Sequence, residues 1–228
     1  MNEPIYHNNL VQGSDEWLKA RLGIITASQM KNLITPKGKV ADNKDSRAIV
    51  FEKVSERLTN RVEDGFSNDH IERGNTFEPF AIDYYEKHIA PVESMGFITR
   101  EFDTKEFDGI TIGYSPDGLV GDDGLIEVKC PARTKHVREI CLNSPPSEYM
   151  MQMQAGMLIT GRKWCDYIAY YNGMKPRIVR VLPDEDIFEL IYDAVINLEE
   201  CILSNIELYK QNTANMASVD FIEGELYE

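Results

Sequence analysis

The stretch from Val92 to Pro131 constrains this chain more than any other. Its short β-branched or aromatic segments, Met95 to Phe102, Ile110 to Tyr114 and Leu125 to Cys130, are punctuated by Gly109, Gly118 and Asp122-Asp123-Gly124. That texture predicts neighbouring strands joined by turns. Helical patterns enclose it. Val50, Val54 and Leu58 recur at i, i+4, i+8 within 46–62, and Phe77, Phe80, Ala81, Tyr84, Tyr85 and His88 keep helical spacing within 69–89. Further helices at about 134–143 and 146–160 precede strands at 164–172 and 177–182. A last helix from about Asp184 lines Ile187, Leu190, Ile191, Ala194, Leu198 and Ile202 along one face. Strands enclosed by helices in this order predict an α/β fold, a central mixed sheet covered on both faces.

Nearer the N-terminus, Ser14-Asp15-Glu16 opens a short helix with a cap and acidic first-turn residues, and Gly23 closes it. Thr26-Ala27-Ser28 offers a second cap, whose helix N–H groups can hold an anion. The 228 residues, 43% of them hydrophobic, suffice for one sizeable core. No interdomain linker or internal repeat is visible, so a single domain is expected over 1–228, with a core of about 14–204 and an acidic tail over 205–228 of uncertain structure. No run approaches the about 18 apolar residues of a membrane span, and the first residues lack a signal peptide's pattern. The expectation is a cytosolic protein without a membrane partner. Cys130, Cys141, Cys165 and Cys201 form no CxxC pair, which excludes a disulfide framework and argues against zinc or iron-sulfur sites.

A net charge of −14 argues at first against a nucleic-acid partner. The charge is uneven, however. Residues 124–180 carry nine basic and four acidic residues, whereas 183–228 carry twelve acidic residues and only Lys210. The acidic end reads as a solubility device; the basic middle needs another explanation.

That explanation starts from Ser115-Pro116-Asp117-Gly118 and Glu127-Val128-Lys129. Alternate residues of a strand share a face, so Glu127 and Lys129 point one way while Ile126, Val128 and Cys130 point the other. The turn at Asp122 to Gly124 returns the chain beside Asp117. Two carboxylates, the Val128 carbonyl and an ammonium then converge at one sheet edge. Such oxygens suit Mg²⁺ with positions left for water and phosphate. A lysine there can orient and help deprotonate the attacking water, since a metal lowers the water's pKa and a nearby cation the lysine's. The chemistry is phosphodiester hydrolysis. A solvated pair on an edge strand beside an ordinary turn would carry the same letters.

Five blocks in order set that alternative aside: Trp17 with Arg21-Leu22-Gly23-Ile24-Ile25-Thr26-Ala27-Ser28; Arg73-Gly74 leading to Glu78; Ser115 to Gly118; Glu127 to Pro131; and Gln152-Met153-Gln154. Over residues 17 to about 172 the chain resembles the phage lambda exonuclease family, the YqaJ-like viral recombinase nucleases of the PD-(D/E)XK superfamily. The resemblance implies that superfamily's central mixed sheet flanked by helices. It gives Asp117, Glu127, the Val128 carbonyl and Glu78 as ligands of Mg²⁺, two ions in the full arrangement, with Mn²⁺ as a substitute. It gives Lys129 as the catalytic lysine and Gln154 as the glutamine closing the site. Arg21, Ser28 and Ser115 match positions that hold a 5′-terminal phosphate, and Ile71 matches an apolar wedge at the duplex end, with core packing as its other reading.

The activity implied is 5′→3′ digestion of linear double-stranded DNA from 5′-phosphorylated ends. Mononucleotides leave, and a 3′ single strand remains for a single-strand annealing protein in a phage or prophage setting. A homotrimer around DNA is implied as well. A structure-specific endonuclease on the same fold and an inactive DNA-binding or inhibitor module are the alternatives; the joint presence of Asp117, Glu127 and Lys129 argues against the latter.

Overall fold

A computed structural model describes residues 2–62, 69–104, 107, 109–141 and 147–219, with side chains at 69–71, 147 and 148 excepted. Along the chain run β1 (Ile5–His7), α1 (Asp15–Arg21), β2 (Ile25–Thr26), a single 3₁₀ turn (Ala27–Gln29), α2 (Met30–Leu33), α3 (Lys44–Thr59) and α4 (Asp69–His88). The strands β3 (Phe97–Phe102), β4 (Ile110–Tyr114), β5 (Gly118–Val120) and β6 (Gly124–Lys129) follow. Then come α5 (Arg133–Ile140), α6 (Ser147–Thr160), β7 (Trp164–Ala169), β8 (Arg177–Val181) and α7 (Glu185–Thr213).

The mixed α/β class holds, and the single expected sheet resolves into two. One has the order β1-β3-β4-β2, the other β5-β6-β7-β8. The chain leaves β4 through Ser115-Pro116-Asp117 and begins a new ladder at Gly118; a proline has no N–H with which to continue pairing. In the second sheet β5 and β6 form an antiparallel hairpin, β6 and β7 run parallel, and β8 returns antiparallel. The parallel pair requires a crossover, which α5 and α6 provide.

β6 is therefore an interior strand, and its alternation divides two cores. Leu125 belongs to the larger one, with Tyr114, Met153 and Ile191. Ile126 and Val128 belong to a smaller one beneath α4, with Ala81, Tyr85 and Ile168. Tyr85 also donates its hydroxyl to Asp166 of β7 at 2.6 Å, and hydrogen bonds to charged groups contribute about 1.5–3 kcal/mol. α4 is fixed on the sheet by that bond and by its apolar face.

α6 packs against both sheets, through β3 and β4 of one and β6 and β7 of the other. Its residues Met153 to Thr160 are all buried, as expected of a helix that is apolar nearly all round. Gly156 is required there: a Cβ on it would stand 2.7 Å from the Tyr114 ring.

α1 forms as its caps predict. The Ser14 side chain accepts from the Trp17 amide at 3.2 Å, and Gly23 takes a left-handed φ of 68°. α7 begins where expected, with Asp184 accepting from the amides of Asp186 and Ile187.

Candidate active site

The register of the hairpin assembles the carboxylates. Gly118 faces Ile126, so one step back along β5 brings Asp117 level with Glu127. Asp117 Oδ2 accepts from the Val128 N–H at 2.5 Å. In an extended strand the N–H and C=O of one residue face the same edge. The Val128 carbonyl accordingly faces Asp117, where β5 has not yet begun. Glu127 is fully buried; its Oε2 accepts from the Tyr114 hydroxyl at 2.9 Å and its Oε1 from Lys129 Nζ at 2.5 Å. The Lys129 side chain keeps 25% of its surface exposed. An interior strand and a fully buried glutamate replace the solvated edge pair that the letters alone allowed.

Glu78 arrives from α4, which docks on the end of β6 where Arg73 Nε donates to the Cys130 carbonyl at 3.0 Å. Its carboxyl titrates above the usual range, chiefly through burial; Lys129 opposes this and Glu127 adds to it. Asp117 lies well above the ordinary aspartate value, pushed by burial and by Glu127 and Glu78, against Lys129 and the Val128 N–H. For Lys129, burial acts downward, but Glu127 and Asp117 outweigh it and leave the ammonium favoured. The lowering expected from the sequence depends on a neighbouring cation; without one, the carboxylates around the lysine set the direction.

Among the described residues no group of three or more His, Cys, Asp or Glu side chains stands close enough together to hold a metal ion. The donor set still fits a hard divalent cation. Its groups are carboxylate and carbonyl oxygens, and the buried carboxylates repel one another and titrate high, a penalty a cation between them removes.

A second feature adjoins this one. Arg21 lies over the Trp17 ring at 4.1 Å and donates to Ser115 Oγ at 3.2 Å. Trp17 Nε1 donates to the same hydroxyl at 3.0 Å. Arg21 and Ser28 line a cavity of about 210 Å³ with Trp17, Thr26, Gln29 and Lys53. Burial lowers the Arg21 pKa to about 10, which leaves it charged at neutral pH. Glu52 and Glu56 share the cavity. Glu56 is committed to the Gly23 amide at 2.6 Å and to Lys53 at 3.0 Å. Ser115 stands two residues before Asp117, so the residue that Arg21 and Trp17 hold and the first of the carboxylates share one loop.

Gln154 is not brought to the carboxylates. Its amide donates to the Leu182 carbonyl at 2.8 Å and accepts from the Asp184 amide at 3.0 Å. Both partners follow Val181, which pairs with Cys165 at the start of β7, whereas Lys129 pairs with Ala169 at its end. Gln154 thus clips α6 to the start of α7. The motif's other glutamine, Gln152, is half-buried and one turn beyond Tyr149 on α6. Tyr149 packs its ring 5.6 Å from Lys129 Nζ and accepts from Lys135 at 2.9 Å. Ile71 belongs to the α4 backbone, and its side chain lies outside the described part. The sequence reading assigned no role to Tyr114, Tyr149 or Lys135; for Tyr114 the one available signal was its inward phase with Ile110 and Ile112 on β4.

A family model described as the YqaJ-like viral recombinase domain matches residues 16–163, which include the Arg21 pocket, the carboxylates and Lys129. The chain belongs to the YqaJ-like viral recombinase family. Among solved structures it is similar to an alkaline exonuclease, LHK-Exo, from Laribacter hongkongensis. The two are 32% identical over 90% of this chain and 100% of that one, with a TM-score of 0.74. LHK-Exo in complex with dAMP matches at the same identity and coverage with a TM-score of 0.75. A phage-related exonuclease from Haemophilus somnus 129PT shares the fold, at 16% identity over 82% of this chain and 96% of that one, with a TM-score of 0.58. No curated protein matches the chain. The YqaJ-like match stops at residue 163, before β7, so β7, β8 and α7 are related to known proteins by the LHK-Exo likeness.

Proposed function

We propose that this YqaJ-like protein is a divalent-metal-dependent exonuclease that digests linear double-stranded DNA 5′→3′ from 5′-phosphorylated ends, releasing mononucleotides and leaving a 3′ single strand. One observation carries the reading: a single loop, Tyr114 to Asp117, supports both a carboxylate-lysine cluster and an arginine pocket. An enzyme that removes terminal nucleotides needs the end-binding group held at a fixed distance from the hydrolytic groups. LHK-Exo, an alkaline exonuclease crystallised with dAMP, is the relative that supports the activity.

Asp117, Glu127, Glu78 and the Val128 carbonyl would hold Mg²⁺, in two ions where the arrangement is complete, with Mn²⁺ as a substitute. Bound there, Mg²⁺ supplies Lewis-acid activation of water and charge neutralisation at the phosphate. Lys129 presents an ammonium to the scissile phosphate and orients the attacking water. Arg21, Ser115 and Ser28 receive the terminal phosphate, and Ile71 meets the duplex end. Family membership extends the proposal to a homotrimer handing its 3′ strand to a single-strand annealing protein.

The deciding experiment is digestion of a linear duplex phosphorylated at one 5′ end only, with Mg²⁺ and with EDTA. Loss of the phosphorylated strand in Mg²⁺ alone is expected; cutting of closed circular DNA would identify an endonuclease instead. Arg21→Ala should lower the ratio of rates on 5′-phosphorylated over 5′-hydroxyl ends by roughly 10- to 150-fold, the equivalent of about 1.5–3 kcal/mol for a charge-assisted hydrogen bond. An unchanged ratio would remove Arg21 from end recognition. Because Asp117 and Glu78 titrate high, Mn²⁺ affinity of the DNA-free protein should rise with pH through their raised range, with protons released on binding. Calorimetry in buffers of different ionisation enthalpy measures both, and a pH-independent affinity would contradict the assignment.

A further inference from the structure

We propose that Tyr114 is the positioning residue of the site: its hydroxyl holds Glu127 Oε2 and so fixes the rotamer that presents Oε1 as the Glu127 oxygen turned towards a metal. The inference deepens the nuclease reading and rests on it.

Tyr114 ends β4 in the first sheet, and Glu127 lies on β6 in the second. Tyr114 is 1% exposed and Glu127 fully buried, so their 2.9 Å hydrogen bond is shielded from water. The Tyr114 ring has no room to retreat, because α6 passes so close that only a glycine fits at 156.

The other oxygen is held differently. Oε1 accepts from Lys129, a flexible side chain one quarter exposed, which can swing away. Oε1 would therefore be open to a cation beside Asp117 once Lys129 swings away, while Oε2 stays with Tyr114. The Lys129 ammonium would then be free to turn towards substrate. Tyr114 is followed directly by Ser115, the residue Arg21 and Trp17 grip. The same strand end thereby sets the glutamate rotamer and the floor of the terminal-phosphate pocket.

The test compares wild type, Tyr114→Phe and Gly156→Ala. Tyr114→Phe removes only the hydroxyl; Gly156→Ala keeps it and displaces the ring. The first readout is Mn²⁺ binding to the DNA-free protein by electron paramagnetic resonance. The second is the Mg²⁺ dependence of cleavage, with kcat and KM for DNA separated. Partners of metal ligands contribute about 10- to 100-fold in affinity. Both variants are expected to bind Mn²⁺ weaker by that factor, to need correspondingly more Mg²⁺, and to keep KM for DNA near wild type. Mn²⁺ affinity within about twofold of wild type in Tyr114→Phe, with only a lowered melting temperature, would make Tyr114 a plain core residue. A Tyr114→Phe protein that does not fold leaves Gly156→Ala to decide by the same readout. Wild type that binds no Mn²⁺ overturns the metal reading and this inference together, an outcome distinct from failure of the variants alone.

Discussion

Replacing Asp117 by asparagine is expected to lower DNA cleavage in Mg²⁺ by at least about 10³-fold, the equivalent of the about 4 kcal/mol carried by a unit charge pair at 4 Å and moderate dielectric. The asparagine Oδ1 can still accept from the Val128 N–H, so shape and backbone contact are retained and only the charge is removed. Folding should not suffer. Burial and the neighbouring carboxylates raise the Asp117 pKa well above its ordinary value, so its contribution to stability is fully present below the unfolded-state pKa. It is lost as pH rises through the raised folded-state value. Above that range the ionised carboxylate is a burden on the metal-free fold that asparagine lacks. Asp117→Asn should melt at or above the wild-type temperature without metal, and Mn²⁺ should raise its melting point far less. Near wild-type cleavage, or a melting point well below wild type, would sink the assignment. An inactive but more stable protein is the expected signature of a site held under electrostatic strain for function.

The main helices and most strands of the chain were legible because each buries a face long enough to show a period. α4 and α7 carry 20 and 29 residues, and their apolar spacing is unmistakable. β1 and β2, with three and two residues, are shorter than any alternation that can be read. β5 was hidden because Gly118, a residue that usually marks a turn, is its first member. The division into two sheets was out of reach for a different reason. Strand order is a non-local property, and only Pro116 hinted that the β4 ladder stops.

Within the site, the local features were readable and the long-range ones were not. Glu127 and Lys129 share a face because a strand alternates. Gln152 and Gln154 posed the opposite problem: at about 100° per residue on a helix, two glutamines two positions apart face nearly opposite sides. The motif could not say which one meets the site, and packing between Leu182 and Asp184 claims Gln154. Tyr114 reaches Glu127 across the gap between two sheets, a contact no spacing rule predicts. Its partner Gly156 reads in the sequence only as an unfavourable residue inside a helix.

Lys129→Ala is expected to cut kcat by about 10²- to 10³-fold, the range for removing one preorganised charge that acts on the transition state. KM for DNA should move by less than about threefold, since the phosphate pocket does not change, and Mn²⁺ should bind more tightly, because the ammonium held on Glu127 Oε1 is gone. The direction of the Lys129 pKa guides this expectation. Glu127 and Asp117 outweigh burial and keep the side chain an ammonium in the metal-free protein, and the part expected of it is to place positive charge and a donor at the phosphate. Lys129→Arg, which preserves the charge, should therefore retain more activity than Lys129→Gln, which preserves only hydrogen bonding. A lysine acting as the neutral base would give equally dead variants. Removing the ammonium also leaves Glu127 buried with Tyr114 as its remaining partner, and an unpaired buried charge is strongly destabilising. The metal-free Lys129→Ala protein should melt below wild type, and Mn²⁺ should restore much of the difference by supplying the missing positive charge. A variant that binds DNA poorly yet turns over at the wild-type rate once saturated would place Lys129 among the phosphate contacts and outside the chemistry.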